Sequence, residues 1–223
     1  MSDPNAQLVN DLLSAPTAIK RFQRLLVQGG SLVTGEALRK LIVFDFNGAQ
    51  PANGALGGAA KSATVETFPL VTDLGIGMTL LFLEPCGINT PHIHPRATEF
   101  LLLVEGSGLR FGSFLENGLV SLGQNQEVAG TLDRYQATAF PSGSLHYQFN
   151  NGCQKAVLVA GFNSDDPGTS SAAQGFFSLN PEVVNATLGP AVSFAGGRPE
   201  ELPKLIPESL AQDVRSCLAR CRG

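Results

Sequence analysis

The chain has 223 residues, 43% of them hydrophobic and 15% charged, with a formal net charge of −4. That length and apolar content suit one sizeable packed domain, and a mildly acidic balance without any block of Lys or Arg argues against nucleic acid or an anionic membrane as partner. No apolar stretch reaches the length of a membrane span.

Residues 5–27 carry Leu8, Leu12, Leu13, Ile19, Phe22, Leu25 and Leu26 at three- and four-residue steps, which predicts helix. Ser14-Ala-Pro16 interrupts it, and Thr17 starts a second piece. The pattern changes at Leu41-Ile-Val-Phe-Asp-Phe46, read as a strand. Gln50 to Gly58 is rich in Gly, Ala and Pro and reads as an exposed loop. Ser62–Phe68 alternates, and Gly75–Leu83 is an apolar run that leads into the most informative stretch of the chain.

That stretch is Gly87-Ile-Asn-Thr-Pro-His92-Ile-His94-Pro-Arg-Ala-Thr-Glu99, which holds two of the three histidines. Side chains two apart on a strand share a face, so His92 and His94 point the same way. Glu99 is an odd number of residues beyond His94, which a straight strand would send to the other face. Pro95 suggests a bend that brings the carboxylate back. Two imidazoles and a carboxylate form a mixed N/O ligand set suited to manganese, iron or another first-row divalent ion. The third histidine, His146, follows a turn in Pro141-Ser-Gly143-Ser-Leu-His146-Tyr-Gln-Phe-Asn150 and supplies a fourth ligand.

Phe100–Val104 is apolar on both faces and reads as a central strand. Gly106-Ser-Gly108 turns the chain into Leu109–Phe111. Further strands are expected at Leu119–Leu122, Gln126–Val128, Gln136–Phe140, Leu145–Asn150 and Ala156–Phe162, and such spacing argues for an all-β barrel or sandwich. Residues 169–200 read as loop with a short helix at Pro181–Leu188. Pro207-Glu-Ser-Leu210 is expected to open a last helix, with Leu210, Val214, Cys217 and Cys221 along one stripe.

Gly87, His92, His94, Glu99 and Gly106 fall on the first cupin motif, and Pro141, Gly143, His146 and Asn150 on the second. The wording Pro91–Glu99 resembles the germin and germin-like branch, including the spherulin-like proteins of fungi and slime moulds. Phe162-Asn-Ser-Asp-Asp-Pro-Gly168 is similar to that branch as well. The match is dense over residues 74–168. The resemblance implies a single cupin, a jelly-roll type antiparallel β-barrel over 40–168, flanked by an N-terminal helical extension (1–39) and a C-terminal part with loop and helices (169–223). It implies manganese, Mn(2+), held by His92, His94, Glu99 and His146, with iron, Fe(2+), as the alternative.

The activities implied are oxalate oxidation and superoxide dismutation. Alternatives are an iron-dependent dioxygenase or decarboxylase of a larger organic substrate, and a non-catalytic storage, stress or cell-wall protein. The expected partners are a small-molecule substrate and further copies of the chain, since germin C-terminal helices pack across subunits, although core packing within one chain accounts for the same C-terminal stripe. Asn89 matches a position that contacts the small acid in oxalate-oxidising germins, although an Asn before Thr-Pro is also a turn former. A second substrate-binding Asn aligns with Thr79, which keeps a hydroxyl and loses the amide's reach. Gln148 and Asn150 sit two and four residues past His146 on the same strand face, placed either to support the ligands or to serve as turn or surface amides. Tyr135 stands where the second motif normally has Gly, which suggests a different turn. Arg96 pairs either with a substrate carboxylate or in a rim salt bridge, and Glu84 either lines the mouth or joins Glu105 as a solvated strand-end charge.

Four cysteines leave the compartment open. A Cys86–Cys153 bridge is conceivable, and buried free thiols are the simpler expectation. Cys217 and Cys221 share a helical face but bond poorly to each other. The start Met1-Ser-Asp-Pro lacks the regions of a signal peptide, so the chain reads either as a mature form with an added Met or as cytoplasmic. The germin-like resemblance tips this toward secretion, and Asn185-Ala-Thr187 is a sequon for glycosylation at Asn185 if so.

Overall fold

The computed structural model describes residues 6–188, 210–211 and 214–221. The N-terminal periodicity forms two helices, α1 (Ala6–Leu13) and α2 (Ala18–Leu26), broken at Ser14-Ala-Pro16. Thr17 caps α2 by accepting the backbone N–H of Lys20, one of the first-turn donors that a helix leaves unpaired. A two-residue turn, Gly29-Gly30, joins β1 (Val27–Gln28) to β2 (Ser31–Leu32). Both glycines have positive φ, as the hairpin twist requires. Helix α3 (Gly35–Ile42) then runs through the start of the segment expected to be a strand, and Val43–Phe46 has no regular structure. The apolar run there packs as an aromatic cluster, Phe44 with Phe46 and Phe68, without entering a sheet.

The remaining strands are β3 (Gly58–Ala63), β4 (Gly77–Leu83), β5 (Ile88–Ile93), β6 (Glu99–Glu105), β7 (Leu109–Phe114), β8 (Val128–Leu132), β9 (Ala137–Phe140), β10 (Leu145–Phe149) and β11 (Ala156–Phe162). A short β12 (Ser170–Ser171) precedes α4 (Ala172–Phe177) and α5 (Pro181–Leu188), and β13 (Leu210–Ala211) precedes α6 (Arg215–Cys221). One antiparallel sheet has the order β3-β4-β11-β6-β9. The other has the order β12-β5-β10-β7-β8, with β13 also on β5. From β4 to β7 the chain changes sheet at every step, so the two sheets face each other as a jelly-roll sandwich. Between them lie Leu81, Leu83, Leu101, Leu103, Leu109, Phe140 and Leu158, all nearly inaccessible. The alternation of β11, buried at every second residue, shows why this strand holds the centre of its sheet.

Strand β6 is interior, between β11 and β9, as its apolar character predicts. Its outward residue Phe100 is nevertheless 59% exposed and faces a groove shared with Phe44, Phe68 and Met78. The expected strand Leu119–Leu122 is a turn region, with Leu122 wholly exposed, and the strand expected at Gln126–Val128 begins only at Val128. With Gly118 and Gly123 both at positive φ, the backbone there reverses and cannot extend along a neighbour. Tyr135 takes φ 69°, a left-handed conformation that a non-glycine residue adopts infrequently.

The tail differs most from its expectation. Leu210 is not on the last helix. It lies on β13, paired with Asn89 of β5, and is buried in the core. Residues 207–209 lie outside the described residues. The cysteines are neither free nor bridged as Cys86–Cys153. They form Cys86–Cys217 and Cys153–Cys221, with Cα–Cα distances of 5.7 and 5.1 Å. One helical turn projects Cys217 and Cys221 in the same direction, so each reaches a different turn of the barrel. These two turns already touch, through the Cys86 N–H donated to the Gly152 carbonyl.

Gly87 sits where no side chain fits: a Cβ would lie 2.1 Å from the Gly57 carbonyl oxygen and 2.9 Å from that of Glu84. Gly87→Ala is therefore expected to lose about 2–3 kcal/mol of stability, read as a lower urea midpoint at unchanged slope.

Candidate metal centre

His92 and His146 are directly opposite each other on the antiparallel pair β5–β10, so the register alone brings two imidazoles together. Strand β5 stops at Ile93, and His94 follows on the same face. The turn Pro95–Thr98 then carries the chain to the other sheet, where Glu99 opens β6 and points inward from the opposite side. The odd spacing between His94 and Glu99 is harmless because the two residues belong to different sheets that face each other. His92, His94, Glu99 and His146 are all buried, and one ligand atom from each lies within 4.8 Å of the others.

Each imidazole is held by its Nδ1. His92 bonds the Thr90 carbonyl at 2.7 Å, His94 the Gly168 carbonyl at 2.6 Å and His146 the Ser144 carbonyl at 2.9 Å. A carbonyl only accepts, so every Nδ1 carries the proton and every neutral Nε2 presents a lone pair to the centre. Stacking on Phe140, at 4.3 Å between ring centroids, fixes the His146 ring, and Phe162 lies 4.7 Å from His94.

Facing these lone pairs is Glu99, whose Oε2 is 3.0 Å from His94 Nε2 and 3.3 Å from His146 Nε2. Burial pushes its carboxyl up, but the hydrogen bonds and positive charge that His146 and His94 supply once Nε2 carries a proton outweigh this and hold it at about 2. Burial, then His146, push His92 down to about 4. Buried acceptors thus converge with no donor among them unless a proton or a cation enters. One carboxylate offsets one imidazolium, whereas a divalent cation satisfies all four groups at once. The donor set therefore fits a first-row divalent ion of the manganese or iron kind.

Of the other expected residues, Gln148 is fully buried and donates its amide N–H to Glu99 Oε1 at 3.3 Å, while its own oxygen accepts from Asn89 Nδ2 at 2.7 Å. Asn89 also lines the cavity above the site, as does Thr79, whose hydroxyl is 2.7 Å from that of Ser62. Asn150 does not support the ligands. Its amide donates to the Leu83, Glu84 and Gln154 carbonyls and accepts from Gly152, so it ties two turns together. Glu84 is not at the mouth of this cavity but pairs with Lys155 at 2.7 Å. Arg96 makes a rim ion pair with Asp166 at 2.7 Å. Asn185 is exposed on α5.

The cavity has a volume of about 250 Å³ and a largely apolar wall that includes Leu81, Ala160, Phe162 and Leu210. Among the described residues, no ionisable side chain lines it apart from His92, His94 and Glu99. Sequence reading missed Ser62, Gln50 and Leu210 as wall residues, and it missed the Gly168 carbonyl that orients His94. A backbone carbonyl leaves no mark in residue type, and Leu210 arrives from more than a hundred residues away.

The family model for cupins matches residues 44–196. Spherulin-1A of Physarum polycephalum is 34% identical over 221 residues, covering 99% of this chain and 81% of its own. Germin-like protein 1-3 of Oryza sativa subsp. japonica is 35% identical over 168 residues, covering 74% of this chain and 72% of its own. A solved structure of oxalate oxidase in complex with the substrate analogue glycolate superposes with a TM-score of 0.62 at 27% identity, covering 74% of this chain and 80% of the other. With its jelly-roll sandwich and a buried three-histidine, one-glutamate group between the sheets, this chain belongs to the cupin family, among the spherulins and germin-like proteins.

Proposed function

We propose that the chain is a germin-like, metal-dependent oxidoreductase that holds manganese through His92, His94, Glu99 and His146 and acts on a small carboxylate or oxygen species, as an oxalate oxidase or superoxide dismutase does. The observation that carries this reading is the convergence of three Nε2 lone pairs on an ionised carboxylate, with every Nδ1 tied to a carbonyl. Likeness to the glycolate-bound oxalate oxidase supports the small-acid class, and the germin-like resemblance favours manganese. When bound, the ion would supply charge compensation and one-electron chemistry.

The rest falls to the chain. The three carbonyls hold the rings in one tautomer, and Gln148 holds Glu99 in line. Asn89 and the Thr79–Ser62 hydroxyl pair offer hydrogen bonds to a small acid, while Leu81, Ala160 and Phe162 exclude water around it. The cavity volume suits an acid of a few carbons. The same apolar wall supports a second reading, an iron-dependent oxygenase or decarboxylase of a less polar molecule.

The two disulfides support an exported protein. The exposed groove of Phe44, Phe68, Met78 and Phe100 supports a homo-oligomer. The stripe Cys217–Cys221 does not, because it is turned inward to the bridges.

Elemental analysis with electron paramagnetic resonance should find about one manganese per chain, and the loaded protein should form peroxide from oxalate or consume superoxide. Iron in its place moves the reading to the oxygenase, and a chain that takes up neither metal refutes it. His94→Ala should abolish turnover and the rise in melting temperature on adding Mn(2+).

Acid should weaken the metal-free chain. His92 has a folded pKa of about 4 against 6.5, so the unfolded state binds more protons between these values, and stability falls as pH drops from about 6.5 to 4. The loss is on the order of a few kcal/mol; urea midpoints at pH 7 and pH 5 measure it, and His92→Gln should flatten this limb. Gln148→Leu should weaken Mn(2+) binding by about 10–100-fold with the fold retained by circular dichroism.

A further inference from the structure

The four cysteines take no part in the His/Glu centre, yet three of their sulfurs form a cluster of their own. Cys86, in the turn between β4 and β5, and Cys217, on α6, are fully buried. Cys221 is half-buried, and Cys153, in the turn between β10 and β11, is exposed. Although the bridges are Cys86–Cys217 and Cys153–Cys221, the sulfurs of Cys86, Cys217 and Cys221 lie within 4.8 Å of one another. The unbonded pair Cys86–Cys221 is 3.9 Å apart. Cys153 lies outside that group of three but is tethered to it through its bridge to Cys221, so reduction frees a fourth thiol beside the three.

A tetrahedral zinc ion with Zn–S bonds of about 2.3 Å has S···S edges of about 3.8 Å. Cys217 and Cys221 have the three-residue gap that structural zinc sites use on a helix, and they cannot bridge to each other easily. Arg220 adds an independent sign. Its guanidinium donates to the Cys217 sulfur at 3.6 Å while anchored on the carbonyl and side chain of Asn151. An N–H donor and a fixed positive charge beside a sulfur are what a zinc-bound thiolate group of net charge −2 needs.

We propose that in the reduced chain Cys86, Cys153, Cys217 and Cys221 bind one zinc ion as a tetrahedral thiolate site. The same four sulfurs then fasten α6 to the barrel in either redox state: by two disulfides in oxidising surroundings and by zinc in reducing ones. A phosphine reductant suffices for the change. Each bridge takes up two electrons and two protons and becomes two thiols, while the phosphine takes the oxygen of one water and becomes its oxide. The four thiols then release four protons as the zinc ion binds. The exposed Cys153–Cys221 bridge is the point of entry, and the buried Cys86–Cys217 bridge follows once the first has opened.

The test uses the full chain, reduced with a phosphine, desalted under nitrogen and titrated with Co(2+) as a spectroscopic stand-in for zinc. The expected result is thiolate-to-cobalt charge-transfer absorption that saturates at one equivalent and is bleached by zinc. It should be absent from the oxidised chain and unchanged in His146→Ala, which damages only the other centre. Cys153→Ser, a change at an exposed position, should weaken and alter the absorption, and Cys217→Ser should abolish it. If reduction unfolds the chain, recovery of its far-ultraviolet circular dichroism on adding cobalt supports the site. The proposal is overturned if the reduced chain shows no such absorption at cobalt levels that fill the His/Glu centre, if it stays unfolded with cobalt present, or if the absorption survives both Cys→Ser changes. None of these outcomes depends on oxidoreductase activity at the His/Glu centre.

Discussion

A carboxylate on one sheet, buried against three imidazoles on the other, is an arrangement of acceptors that no apolar sandwich would assemble without a reason. Taking Glu99 out of water costs free energy that only close opposite charge or good hydrogen bonds recover. Its surroundings are built accordingly. The register of β5 on β10 sets His92 beside His146, the turn after His94 changes sheets, and Gln148 closes the second carboxylate oxygen. A divalent cation at the centre would turn these four groups into one satisfied ligand set.

Much of the remaining structure holds that shell still. The run 162–168 is more than a connection after β11: Asn163 caps the Thr98 N–H, Asp166 holds Arg96, and the Gly168 carbonyl orients His94. The second motif turn is tied to the first by the Gly143 N–H donated to the His94 carbonyl. Asn150, which pattern alone would place near the ligands, instead joins the turns on which Cys86 and Cys153 sit. The His/Glu end and the sulfur end of the sandwich are thus braced separately, with β5 and β10 running between them.

The tail completes the cavity. Strand β13 lays Leu210 over the core and into the cavity wall, and α6 is fastened nearby through Cys217 and Cys221.

The sequence by itself determined the four candidate ligands, the cupin class and most strands of the sandwich. Alternation, turn residues and the spacing His92-x-His94 are local, and local order survives in the linear text. It misled at Leu41–Phe46 and Leu119–Leu122, where apolar runs resemble strands but lack a neighbouring strand with which to pair. Only the tertiary structure decided the cysteine pairing, the placement of Leu210, the split roles of Gln148 and Asn150, and the tautomer of each histidine. Each of these depends on which distant backbone carbonyl, side chain or sulfur lies within a few ångströms, and residue spacing along the chain carries no record of that.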